Sequence, residues 1–121
     1  AEHPDTVKAL LKGHVASVAW LNTAPAAEKA TVLNDGLKAA AGKALPADVI
    51  DRSLKNIDFT TDPLAGTYKK LLQDGVDAGT TKRADINGIF DLTALNSVLG
   101  ESVLGESVAG KKISAEGLGK D

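Results

Sequence analysis

The stretch from Pro4 to Leu21 reads as one helix that is apolar on two sides, and a helix of that kind has few places to go in a fold. Val7, Leu10, Leu11, His14, Val18 and Leu21 recur at helical spacing along one face. Ala9, Gly13, Ala16 and Trp20 lie on nearly the opposite face, and Lys8 and Lys12 hold a narrow polar sector between them. Two apolar sides predict burial between layers rather than a place on the surface. The helix opens on Pro4-Asp5-Thr6, where acidic Asp5 suits the positive end of the helix dipole.

Local signals divide the remaining chain. Pro25 is placed to open a second helix with the stripe Ala26, Ala30, Leu33, Leu37 and Ala40, and Gly42 to stop it. Pro46 opens a third helix running through Asn56, with Val49, Ile50 and Leu54 inward. Ile57-Asp58-Phe59 alternates apolar and polar and predicts a brief extended crossing segment. Asp62 then caps, and Pro63 starts, a fourth helix with the stripe Leu64, Tyr68, Leu71, Leu72 and Val76, ended by Gly79. Asp85 begins a short helical turn carrying Ile86, Ile89 and Phe90. Asp91 caps a last helix bearing Leu92, Leu95, Val98 and Leu99. The expected fold class is all-α, about five helices with one short extended segment.

Ser97-Val98-Leu99-Gly100-Glu101 recurs as Ser102-Val103-Leu104-Gly105-Glu106 and more weakly as Ser107-Val108-Ala109-Gly110. This period matches neither a helix nor a strand, and each glycine weakens a helix by roughly 1 kcal/mol. The expected organisation is a helical section over 1–99 and a loosely ordered tail over 100–121.

A length of 121 residues suits one domain. With 43% hydrophobic and 25% charged residues, the chain has the composition of a globular protein rather than a disordered one. The net charge of -2 and the lack of a dense basic patch argue against nucleic-acid binding. The absence of cysteine excludes disulfides and thiol chemistry. No run reaches the ~18 apolar residues of a membrane span, and no signal peptide is recognisable. Aromatic residues make up only 3%: Trp20, Phe59, Tyr68 and Phe90. A core of Ala, Leu and Val buries little area per residue, and at about 25 cal/mol per Å² that leaves a marginal stability. The chain is therefore expected to pack against something more.

Residues that carry chemistry are sparse. His14 lies on an apolar helix face without a second histidine at helical spacing, which predicts a core or interface histidine rather than a ligand or base. His3, beside Glu2, is expected to be solvated, and the two histidines with scattered carboxylates make no zinc site. Of Asp58, Asp62, Asp85 and Asp91, the last three stand where helices should begin, so capping explains them. Asp85-Ile86-Asn87-Gly88 lacks the ligand register of a calcium loop. No nucleophile elbow, phosphate loop or dinucleotide fingerprint is present, and neither a catalytic role nor a cofactor is expected. Gly36, Gly66 and Gly75 sit inside helical patterns, as close packing would require. The best candidate for ligand proximity is Thr60, Thr61 and Asp62: two hydroxyls and a carboxylate running into a helix N-terminus, whose N–H groups suit an anion. The competing explanation is that the three only cap the helix.

The helix-boundary patterns have a further likeness. They are the His3-Pro4-Asp5-Thr6-Val7 start, Trp20-Leu21-Asn22 before Pro25, Ile57-Asp58-Phe59-Thr60-Thr61-Asp62-Pro63, Ile89-Phe90-Asp91-Leu92 before Leu95-Asn96, and the ending Gly117-Leu118-Gly119-Lys120-Asp121. Together they resemble the C-terminal part of bacterial solute-binding proteins serving ABC importers for aliphatic sulfonates, taurine, nitrate and related small molecules. The resemblance implies a parent with two α/β lobes joined by a hinge, of which this chain is the final helical section. It implies capture of a small anionic solute outside the cytoplasmic membrane, by a periplasmic protein or a cell-surface lipoprotein. Hinge closure and delivery to an ABC permease would follow, with no covalent step. Faces meant for absent lobes would leave the isolated piece open to homo-oligomerisation or domain swapping. The alternative is a stand-alone helical interaction or structural domain without a ligand.

Overall fold

A computed structural model describes residues 2–101 and 112–120. In chain order the elements are α1 (Pro4–Thr23), α2 (Ala26–Ala41), α3 (Ala47–Leu54), a 3-10 turn (Ala65–Thr67), α4 (Tyr68–Asp77), β1 (Phe90–Asp91), α5 (Thr93–Gly100) and β2 (Gly119–Lys120). The described chain is mostly helical, as expected, and β1 and β2 add one short two-stranded parallel sheet. Internal contacts divide it into two units, one of residues up to Ala16 together with Thr61 onward, the other Ser17–Thr60.

The first unit holds the larger core. Val15, Leu92, Leu95, Val98, Leu99, Ile113 and Ala115 form one buried cluster, with Leu11 and Phe90 packed against it. Helix α5 supplies most of it, because Leu95, Val98 and Leu99 recur at helical spacing on one face. From Lys112 to Glu116 burial alternates: Ile113 and Ala115 point inward, while Lys112, Ser114 and Glu116 stay exposed. That period of two is the signature of an extended segment with one side on the core. The Asn96 side chain fixes its place. Asn96 Nδ2 donates to the Ile113 carbonyl at 2.8 Å, and the Ile113 N–H donates back to Asn96 Oδ1 at 2.8 Å.

A tight turn follows, closed by Leu118 N–H donating to the Ala115 carbonyl at 2.9 Å. Its central residues, Glu116 and Gly117, have φ of 51° and 80°, the mirror-image turn that favours glycine. The turn buries Leu118 and lays Gly119 and Lys120 parallel to Phe90 and Asp91. The Leu92 N–H completes the pairing on the Lys120 carbonyl at 2.8 Å. Phe90 meets Tyr68 edge to face, ring centres 4.8 Å apart, so β1 also anchors the start of α4.

The second unit has fewer buried residues: Val18 and Ala19 at the end of α1, and Ile50 in α3. Val49 and Leu54 are half-buried beside Ile50, as the α3 pattern predicts. Helix α2 buries none of its residues, and Val32 and Leu37 are exposed. It ends as expected at Gly42, whose φ of 72° turns its N–H onto the Lys38 carbonyl. Asn34 repeats the device seen at Asn96: its side chain exchanges two hydrogen bonds, each 2.8 Å, with the backbone of Leu45. Ile57–Phe59 has no regular secondary structure, and the Phe59 carbonyl accepts from Asn22 Nδ2 at 3.0 Å.

Several expectations need correction. Helix α1 is not covered on two sides. Its buried arc runs through Leu11, Val15, Val18 and Ala19, while Leu10 is 74% exposed and Val7, Ala9, Gly13 and His14 are exposed too. The cause lies in the sector read as merely polar: Lys8 and Lys12 both pair with the Glu101 carboxylate just past α5, and Val15 follows them round the helix. Helix α4 begins at Tyr68, not Pro63, because Leu64 takes a left-handed φ of 53° and a 3-10 turn intervenes. Asp85 opens no helical turn; the chain makes a reverse turn at Asn87–Gly88 and enters β1.

The segment expected as a loose tail contributes Ile113, Ala115 and Leu118 to the buried interior. The second and third copies of the five-residue repeat, over 102–110, lie outside the described residues. The first copy ends α5, with Val98 fully buried. A Cβ at Gly66 would strike the Glu116 carboxylate and one at Gly75 would sit 3.3 Å from Thr81, whereas Gly36 faces open space.

Two glycines separate packing from propensity. A Cβ at Gly119 would overlap the Phe90 carbonyl, while one at Gly13, inside α1, would meet nothing within 4 Å. Gly119→Ala is expected to destabilise by about 1–3 kcal/mol because backbone has to move. Gly13→Ala is expected to stabilise by about 0.5–1 kcal/mol through helix propensity. Urea unfolding of the two variants measures both.

Candidate functional site

Thr60, Thr61 and Asp62 occupy a turn rather than a helix N-terminus. Thr60 is the last residue of the Ser17–Thr60 unit and is exposed; Thr61 and Asp62 begin the other unit and are half-buried. Asp62 Oδ1 accepts the Leu64 N–H at 2.8 Å, a side-chain turn that aspartate forms readily. Pro63 has no N–H to offer. The Leu64 carbonyl accepts both the N–H and the hydroxyl of Thr67, at 2.9 and 2.8 Å. The Leu64 and Thr67 N–H groups are thus directed at the chain itself, in keeping with the local turn-forming explanation of these residues. The α4 terminus, where an anion was anticipated, lies beyond the 3-10 turn at Tyr68.

The other singled-out residues do not converge. His3 and His14 are both exposed; of the core or interface placement expected for His14, the core half is excluded, because it lies outside the buried arc of α1. Asp85 Oδ1 accepts from Asn87 N–H and Nδ2 at 2.9 and 2.8 Å. Asp91 lies one residue before the Leu92 N-cap of α5, and its Oδ1 accepts the first helical N–H, that of Thr93, at 3.1 Å, close to the capping role expected of it. Hydrogen bonds from the Thr93 hydroxyl and N–H, with nearby Lys120, hold the Asp91 carboxyl below its ordinary range. Among the described residues no group of three or more His, Asp or Glu side chains could hold a metal ion. No described helix is long and apolar enough to cross a membrane.

An arrangement that sequence patterns did not single out is an open groove beside α4. Leu72 and Val76 form its apolar floor, and Lys69, Gln73, Arg83 and Asp85 its polar rim. Lys69 and Gln73 lie one helical turn apart, a spacing legible in the sequence; the approach of Arg83 depends on the path of the chain after Gly79. Another concentration of charge is Lys8, Lys12 and Glu101. Hydrogen bonds from the two ammonium groups, Lys8 first, pull the Glu101 carboxyl below its ordinary value of 4.5. Both clusters are solvent-facing and screened by salt.

The sign of the Glu101 effect fixes a pH window. A carboxyl depressed on folding contributes stability above its unfolded value, and that contribution disappears as pH falls below 4.5 through the folded value. Glu101→Gln should flatten this acid limb while leaving the neutral-pH midpoint less affected by salt; urea midpoints across the acid range, at low and high ionic strength, measure it. Asp62→Ala should cost about 1 kcal/mol through loss of the Leu64 hydrogen bond, and Asp62→Asn, which keeps the acceptor, much less. No protein family, curated protein or solved structure matches the chain.

Proposed function

We propose that this chain is the C-terminal helical part of the extracytoplasmic solute-binding component of an ABC importer. Its parent takes a small anionic solute such as a sulfonate, taurine or nitrate and hands it to the permease by hinge closure, without a catalytic step. The helix-boundary resemblance supplies the family. The observation that supports it on physical grounds is the exposure of large apolar side chains on helices with no buried residue of their own. Tyr68 and Leu71 on α4 and Val32 and Leu37 on α2 are exposed, as is Leu10 on α1. Such faces suit helices that support further polypeptide. In this reading the chain's own contribution is support, and Thr60, Thr61 and Asp62 shape the approach to the solute rather than enclose it.

A stand-alone interaction domain is the second reading, and the same exposed faces favour it. The two differ in what the gene's full product binds. Calorimetric titration of that product with taurine, alkanesulfonates and nitrate is expected to show saturable one-to-one binding to at least one of them. Absence of binding to all three classes, with a protein partner retained by the 121-residue chain, would replace the transport reading with the interaction domain.

A further inference from the structure

We propose that Asn87–Gly88 is a site of spontaneous backbone modification, where the Gly88 nitrogen attacks the Asn87 carboxamide and the resulting succinimide opens to aspartate or isoaspartate. Both residues are exposed and form the centre of a reverse turn from Ile86 to Ile89. The Ile89 N–H reaches the Ile86 carbonyl at 3.4 Å, long for such a bond, so the turn is loosely closed. Gly88 has φ +77°, and Asn87 is not among the positive-φ residues, which makes the turn type II. In that geometry the peptide between the two central residues faces away from the closing bond. The Gly88 N–H accordingly makes no hydrogen bond among the described residues.

The nucleophile is therefore untethered, and it is unhindered as well. Gly88 itself carries no side chain to crowd the attack, and no described atom lies within 4 Å of where its Cβ would be. Asp85 holds the carboxamide in the same turn, accepting from Asn87 N–H and Nδ2 through one oxygen. The step balances without any co-reactant but water. A bond forms between Gly88 N and Asn87 Cγ; the Cγ–Nδ2 bond breaks; the Gly88 amide proton leaves with the nitrogen as ammonia. Water then cleaves the ring at Cγ, giving aspartate, or at the Asn87 main-chain carbonyl carbon, giving isoaspartate and an extra methylene in the backbone.

The other four asparagines are built against this reaction. Asn22, Asn34 and Asn96 lie within α1, α2 and α5, where the next N–H belongs to the helical ladder. Their side chains are held by Phe59, Leu45 and Ile113. Asn56 donates to the Arg52 carbonyl at 2.8 Å and precedes β-branched Ile57, which crowds ring closure. Modification at Asn87 has a structural consequence they lack. Either product replaces the Nδ2 donor to Asp85 with a second carboxylate, and like charges at hydrogen-bond range repel. Isoaspartate also lengthens the chain just before β1, whose register positions Phe90 and Leu92.

Incubation of the whole chain in mildly alkaline buffer, followed by peptide mass mapping and isoaspartate-specific methyl transfer, tests the proposal. The peptide containing Asn87 is expected to gain a single mass unit before any other asparagine peptide does, and to take up one heavy oxygen in labelled water. Asn87→Gln, with unfolding curves to verify that it folds, should lose the signal. Early modification of any other asparagine while Asn87 stays intact would overturn the assignment, as would an unchanged rate in Gly88→Ala.

Discussion

The pairing of the Asn96 side chain with the backbone of Ile113 is the interaction on which the larger unit depends. A carboxamide presents one donor and one acceptor in nearly the geometry of a peptide group, so it can stand in for a neighbouring strand. At Ile113 it satisfies both N–H and carbonyl while the isoleucine side chain enters the core. Leaving those backbone groups unpaired in a part-buried place would cost about 1–3 kcal/mol. Asn34 makes the same exchange with Leu45, but in an exposed position, where water competes and less depends on it.

Consequences follow outward from Ile113. Alternation carries Ala115 inward, the Glu116–Gly117 turn carries Leu118 inward, and Gly119 then lies against Phe90 so closely that no side chain fits. That contact sets the register of β1, and β1 presents Phe90 to Tyr68 at the head of α4. At the other end of α5, Glu101 gathers Lys8 and Lys12 and so rotates Leu11 and Val15 of α1 into the core. A few polar contacts thus orient a core that is poor in aromatic side chains and would otherwise pack with little specificity.

What the sequence disclosed was local. Pro25, Gly42, Pro46 and Asp91 act through their own backbone geometry or nearest neighbours, and the boundaries of α2, α3 and α5 fall within a residue or two of where they predict. The face Leu92, Leu95, Val98 and Leu99 was legible for the same reason. Non-local events were hidden. Val15 was missed because choosing the buried arc of a two-sided helix depends on Glu101, far along the chain. The parallel pair β1–β2 was missed because each strand is two residues long and its partner distant. Leu64 in a left-handed conformation broke a helix start that Asp62-Pro63 otherwise announces. Thr60, Thr61 and Asp62 were legible as turn-forming types, but the left-handed Leu64 that separates them from the α4 terminus was not. The Asn87–Gly88 turn can be read from the dipeptide, yet the Gly88 N–H that matters to its chemistry, unbonded among the described residues, comes from the turn type.

Native-state hydrogen exchange at the Ile113 amide tests the dependence on Asn96 most directly. The Ile113 and Leu92 N–H groups are expected to exchange together and as slowly as the interior of α5, because opening the pair exposes the same core. Rapid exchange at Ile113 while α5 stays protected would contradict that dependence, and would make the segment after residue 112 an ornament on a core that stands without it.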